Sequence, residues 1–183
     1  AVVMFSRLLA EKMNLDKDYR DSYYPDVGGD AWYANQIGYM RSLGVLEDYT
    51  QGKNFRPDEA VTRAEFAVLA AQFDKLSLTA ANSFTDVPDD HWAVKYINSA
   101  ADKGWVMGYP DNTFKPETNI TRGEIVTLVN RMLERNADKN YLETNSKALP
   151  RSYSDVTKNH WAYLDIMEAS MDHDFQKDGK TEV

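Results

Sequence analysis

One short string occurs three times in this chain. Tyr24-Pro25-Asp26-Val27, Phe84-Thr85-Asp86-Val87 and Tyr153-Ser154-Asp155-Val156 share an aromatic, an aspartate and a valine in register, and a tryptophan follows each aspartate by six residues, at Trp32, Trp92 and Trp161. A spacing kept in three places constrains the fold more than any total does. Each copy must make the same local structure, and a unit this small must take apolar cover from its neighbours. The fullest copy runs from Phe84 to Glu124 through His91-Trp92-Ala93, Gly104, Gly108, Phe114-Lys115-Pro116 and Ile120-Thr121-Arg122-Gly123-Glu124.

The copies read as helix, loop, helix. Asp30, Asp90 and Asn159 stand two residues before the tryptophans and are N-cap types, which predicts helices starting there. Their apolar positions would be Trp32, Ile37 and Met40, then Trp92, Ile97 and Ala100, then Trp161, Ile166 and Ala169. Gly44 and Gly104, each twelve residues past its tryptophan, are placed to end the first two helices in the left-handed conformation. The loop Gly108-Tyr109-Pro110-Asp111-Asn112 is dense in turn formers, whereas its counterpart is one residue longer and has Asp48 in place of Gly108, so the two loops need not share a shape. Thr62-Arg63-Ala64-Glu65 and Thr121-Arg122-Gly123-Glu124 follow Pro57 and Pro116 by five residues and have the capping-box pattern, so each opens a second helix.

The second helices share one apolar face. Phe66, Leu69, Ala70 and Phe73 answer Ile125, Leu128, Val129 and Met132, and a shift of 124 positions brings the latter onto Ala1, Met4, Phe5 and Leu8. Residues 1–13 therefore read as the second half of an earlier copy, with the chain starting inside an element. The organisation expected is a half-repeat at 1–13, repeats at 24–73 and 84–135, and a first half with a tail at 153–183, together one domain. The polar linker from about Asn136 to Ser152 is the expected place for mobility or proteolysis.

Totals narrow the functions. A chain of 183 residues with 43% hydrophobic residues can bury a core, and no apolar run approaches the roughly 18 residues of a membrane span. A net charge of −8 argues against a nucleic-acid partner, whose phosphates require a basic face. With no cysteine there is neither a disulfide nor thiolate chemistry.

In this order and spacing, Phe/Tyr-x-Asp-Val, His-Trp-Ala, Gly-x-x-x-Gly-Tyr-x-Asp, Phe-x-Pro and Ile-Thr-Arg-x-Glu resemble the S-layer homology motif. The resemblance implies an all-α fold, a pseudo-threefold three-pronged spindle whose grooves bind secondary cell wall polysaccharide attached to peptidoglycan. It implies a secreted, noncatalytic module at the bacterial cell wall or S-layer. The family's groove arginine meets an acidic, often pyruvylated sugar, and transfers to Arg63 and Arg122. Trp92 and Trp161 are candidates to line the same grooves, Trp92 facing the groove begun by Arg63 and Trp161 facing Arg122. Trp32 is left without an arginine partner in the chain. The candidate ligand-binding set also includes Thr62, Thr121, Glu65, Glu124, Gly108 and Tyr109 from the same motifs, with no metal and no cofactor.

Physical chemistry allows these roles beside plainer ones. A guanidinium grips a carboxylate with two parallel hydrogen bonds and keeps its charge, and free amides at a helix start add to the pull on an anion. Arg63 and Arg122 could equally hold a loop by pairing with nearby acids. An indole stacks on sugar faces or fills a core. Asp26, Asp86 and Asp155 are expected to bond local amides, His91 and His160 to be structural, and the Asp172 to Gly179 tail only faintly resembles a calcium loop. Self-assembly through complementary half-motifs is the alternative function. Glycan hydrolysis is a third, but no carboxylate pair stands out for it.

Overall fold

The structure is a computed structural model that describes residues 1–9, 17–20, 24–50, 54–78, 81–145, 153–170, 177–178 and 181–182. Eight helices are found among these residues: α1 (Val2–Leu8), α2 (Ala34–Ser42), α3 (Glu47–Thr50), α4 (Arg63–Phe73), α5 (Val94–Asp102), α6 (Arg122–Met132), α7 (Lys139–Thr144) and α8 (Tyr163–Ser170). The only other regular element described is a hairpin of β1 (Lys177–Asp178) and β2 (Thr181–Glu182), antiparallel with Lys177 opposite Glu182. The all-α expectation holds apart from this hairpin.

The chain forms two compact units, residues 1–119 and 120–183. Helices pack as pairs that straddle the repeats: α1 on α2 and α4 on α5 in the first unit, α6 on α8 in the second. In each pair the second helix of one copy lies on the first helix of the next. The packing unit is thus offset by half a repeat from the sequence unit.

The first unit has an apolar core. Phe66, Leu69 and Ala70 of α4 and Ile97 and Ala100 of α5 are wholly buried, and the Phe5 ring of α1 lies 5.6 Å from Phe66 and 4.8 Å from Phe73. Each such large side chain contributes about 1.5–3 kcal/mol through burial. The second unit is joined differently. Of the expected α6 face only Leu128 is buried, beside Thr127 and Asn130, whose side chains donate to Asp165 of α8 at 2.9 and 3.2 Å. Arg135 adds an ion pair of 2.6 Å to the buried Glu168.

Helix termini follow the sequence at two kinds of place and depart from it at two others. Thr62 and Thr121 each form a complete capping box with Glu65 and Glu124. Gly44 and Gly104 have φ of 75° and 72°, the left-handed ends expected of them. Leu142 of α7 is buried and Asp138 caps that helix, so the 136–152 linker is not structureless; its residues 146–152 lie outside the described set.

The second departure is the start of each first helix. These begin at Ala34, Val94 and Tyr163, not at Asp30, Asp90 and Asn159. A tight turn intervenes, closed by Ala34 N–H on Ala31 O, Val94 N–H on His91 O and Tyr163 N–H on His160 O. The imidazoles of His91 and His160 accept the amides of Ala93 and Ala162 through Nδ1, so histidine rather than the acidic residue supplies the local acceptor.

Candidate functional site

The tryptophans sit on these turns, outside the apolar core. Trp32 is 72%, Trp92 38% and Trp161 64% exposed. The turn places each ring ahead of the helix proper, where the core-facing stripe of Ile37 and Met40, or of Ile97 and Ala100, has not yet begun. Trp92 and Trp161 stack on the preceding His91 and His160 at 5.9 and 5.8 Å, and the other ring nitrogen of His91 meets Glu117 at 3.2 Å. Such a ring, stacked on an imidazole and partly exposed, is a platform for an apolar ligand face.

Arg63 opens α4 and is only 8% exposed. Its Nε donates to Phe114 O at 2.8 Å and a terminal nitrogen donates to Met107 O at 3.2 Å. Its guanidinium lies 4.7 Å from the Phe114 ring centre and 5.1 Å from that of Tyr109, within cation–π range. The backbone repeats the attachment, with Arg63 N–H on Thr118 O, Ala64 N–H on Pro116 O and a bridge between Thr62 and Asn119. Arg63 therefore holds the loop of the following copy, and it does so through carbonyls and rings.

That loop is shaped by two further contacts. Asp86 accepts the amides of Phe114 and Lys115 at 2.7 and 2.8 Å, as Asp26 accepts those of Phe55 and Arg56 in the preceding copy. These aspartates do not make the local turns expected of them. They reach across each copy to clamp the Phe-x-Pro segment, where Arg56 and Lys115 turn with φ of 59° and 58°. Partial burial works against the charge of Asp26, yet the Arg56 and Phe55 amides hold its carboxyl below the usual range. Gly108 is fixed by packing: a Cβ there would stand 2.5 Å from the Phe84 ring and 2.8 Å from Thr113 O. Asp48, its counterpart, instead lies in the first turn of α3 and accepts hydrogen bonds from Gln72 and Tyr96.

Arg122 opens α6 in the second unit, and its surroundings are different. It is exposed and has no hydrogen bond or ion pair to a described residue. Beside it, the Gly123 backbone runs under Trp161, such that a Cβ at Gly123 would be 3.5 Å from the indole, 3.6 Å from Ala162 and 3.8 Å from His160. The start of α6 thus combines an available guanidinium with an exposed indole. Thr121 and Glu124, like Thr62 and Glu65, are engaged by their capping boxes. No contact among those described joins Trp92 to Arg63, whose aromatic neighbours are Tyr109 and Phe114.

Those Gly123 distances are ordinary van der Waals separations, so alanine fits. Gly123→Ala is expected to raise stability by about 0.5–1 kcal/mol by reducing unfolded-chain entropy, seen as a higher urea midpoint with an unchanged slope. The carbonyls of Met107 and Phe114 were not identifiable beforehand as the partners of Arg63, because main-chain atoms leave no residue-type signal.

The family model of the S-layer homology domain matches residues 23–67 and 83–126, the two copies that carry these capping boxes and arginines. The chain belongs to the S-layer homology family. It is 36% identical over 185 residues to the cellulosome-anchoring protein of Acetivibrio thermocellus, covering 97% of this chain and 39% of that protein. It is 34% identical over 189 residues to cell surface glycoprotein 1 of the same organism, covering 96% of this chain and 8% of that one. The surface layer protein of Brevibacillus choshinensis is 33% identical over 109 residues, 57% of this chain and 10% of its own length. The chain thus spans well under half the length of these S-layer homology relatives. Among its described residues, no helix is long and apolar enough to cross a membrane, and no group of three or more His, Cys, Asp or Glu gathers as metal ligands. The suggested calcium loop at 172–179 lies outside the residues whose side chains are described.

Proposed function

We propose that this chain is a noncatalytic module at the bacterial cell surface that fastens its parent protein to the wall by binding an acidic secondary cell wall polysaccharide. The relatives named as cellulosome-anchoring and surface layer proteins support the anchoring role. The observation that carries the acidic ligand is Arg122, exposed and without a partner among the described residues at the start of α6, with the Trp161 indole over the next residue. A sugar bearing a carboxylate, as a pyruvyl ketal does, matches this pair. The guanidinium fork and first-turn amides meet the carboxylate, while the indole takes the C–H face of the ring.

In this reading Trp92, stacked on His91, and Tyr109, under Arg63, border the corresponding region of the first unit, with Thr62, Glu65 and Gly108 shaping its backbone. Arg63 contributes there chiefly by positioning the loop. Exchange of half-motifs between chains has less support, because α1 already lies on α2 and α8 on α6 within one chain.

The test is co-sedimentation with purified wall polymer before and after its ketal groups are removed. Arg122→Ala is expected to weaken binding to the untreated polymer by about 10-fold or more, the scale of one lost charge-assisted contact. It should have no effect on whatever binding survives removal of the ketals. Equal retention of Arg122→Ala and the parent on untreated polymer would sink the assignment.

A further inference from the structure

His91 and His160 hold two of the tryptophan turns in a way that works in one protonation state only. Each imidazole takes on Nδ1 the main-chain amide two residues on, Ala93 N–H at 3.1 Å and Ala162 N–H at 3.2 Å. An amide N–H can only donate, so Nδ1 must carry a lone pair, and the ring must be neutral with its proton on Nε2. At His91 that Nε2–H donates to Glu117 at 3.2 Å. Ala93 and Ala162 are wholly buried, so water does not readily replace a lost acceptor at either amide.

Protonation removes that acceptor. An imidazolium donates from both nitrogens, so its Nδ1–H would point at the amide N–H it had received, and the ring must leave the turn. The indoles lose their support with it, because Trp92 and Trp161 stack on these imidazoles with 27° and 29° between ring planes. The charges around the two rings differ. His91 meets Glu117 of the loop packed on it, which still grips the charged ring at its Nε2 end; its own segment carries Asp89, held by Asn82, with Asp90 and Lys95. Against His160 lies the start of α6, where Arg122 and Glu124 flank Gly123 and Glu124 is engaged in its capping box; Asp155 and Lys158 precede His160 on its own segment. Among the described residues His160 has no carboxylate partner, so none of them holds its ring once charged. The copy at Trp32 has Ala31 where the histidine would stand, and so lacks the device.

We propose that His91 and His160 are positioning residues that lock the Trp92 and Trp161 turns while neutral and release them on protonation, the Trp161 turn to the greater extent. The locked turn binds one proton fewer than the released one, so acid favours release, over the interval between about pH 5 and 8 in which histidine side chains change charge. The Trp32 turn does not respond. Trp161 lies over Gly123 beside Arg122, so the second unit loses its paired indole and guanidinium when this turn opens. Under the wall-glycan reading above, the module then loosens its hold on the polymer as its surroundings acidify; the switch itself does not rest on that reading.

The experiment follows the indole N–H signals of the full chain by NMR at about pH 8 and about pH 5, assigned with Trp32→Phe, Trp92→Phe and Trp161→Phe variants. Hydrogen exchange of the Ala93 and Ala162 amides, corrected for the intrinsic pH dependence of exchange, is measured alongside. The Trp161 signal is expected to move most and that of Trp92 less, with Trp32 fixed, and Ala162 protection should fall about 10-fold, the scale of one buried amide left without its acceptor. His91→Asn and His160→Asn supply a local acceptor that does not titrate, so each should abolish the response of its own turn while keeping the amide protected. An unmoved Trp161 signal with constant Ala162 protection, a response that survives His160→Asn, or a Trp32 signal that moves with the others refutes the proposal. Retention of untreated wall polymer should also fall about 10-fold from the higher pH to the lower in the parent and hold steady in His160→Asn. If the spectra respond but neither protein holds polymer at either pH, the wall-glycan reading falls and the switch stands.

Discussion

Arg63→Ala is expected to lower the unfolding free energy by about 2–4 kcal/mol, the scale for losing hydrogen bonds from a charged donor and leaving buried acceptors bare. The side chain donates to Phe114 O and Met107 O and is flanked by the Tyr109 and Phe114 rings, so its removal leaves the loop of the next copy held to the start of α4 by main-chain bonds alone. The measurement is urea unfolding, in which the midpoint should fall with little change in slope. Arg122→Ala supplies the contrast. The same motif position in the second unit is exposed and has no partner among the described residues, so its loss should change stability by less than about 0.5 kcal/mol while weakening glycan binding. A stable Arg63→Ala protein that had lost its glycan would invert the assignment and make Arg63 the ligand residue.

Gly38→Ala is expected to destabilise by about 1–3 kcal/mol, the usual range for an overpacked site. The added methyl would meet Tyr19 O at 1.7 Å and Tyr19 C at 2.6 Å, and these are backbone atoms that no rotamer change can move. The helix cannot yield either, because Ile37 and Met40 on either side of Gly38 are buried. The 17–20 segment must therefore lift, breaking the Tyr19 to Asn35 hydrogen bond and the edge contact between the Tyr19 and Tyr39 rings at 5.0 Å. Urea unfolding midpoints check this, and a fully stable Gly38→Ala protein would contradict the packing argument. In the next copy Asn98 occupies this position and accepts the Ser83 amide at 3.2 Å, so the same approach of chain to helix is met there by a side chain.

The elements that were legible in the sequence share one property. The capping boxes at Thr62 and Thr121 and the left-handed ends at Gly44 and Gly104 depend on atoms within four residues of one another, so residue type and spacing suffice. Asp30, Asp90 and Asn159 have the right chemistry for an N-cap, but a tight turn delays each helix, and at two of the three copies a histidine takes the amide. Asp26 and Asp86 misled for another reason: their amide partners lie 29–30 and 28–29 residues away, and nothing local marks them. The exposure of the tryptophans likewise became visible only with the turn, since helical periodicity alone would have put Trp32, Trp92 and Trp161 on the buried stripe.

By itself the sequence determined the repeat, the caps that start α4 and α6 and the glycines past the ends of α2 and α5, because those are set by short-range hydrogen bonding and backbone preference. Only the tertiary structure decided what each copy does with its arginine. Arg63 meets the carbonyls of a loop 44 and 51 residues further on, so its charge is turned inward. Arg122 carries the same motif but has no such partner among the described residues, so its charge remains at the surface. Two identical letters differ in role because the deciding contact is long-range, and a long-range contact exists only once the chain has packed.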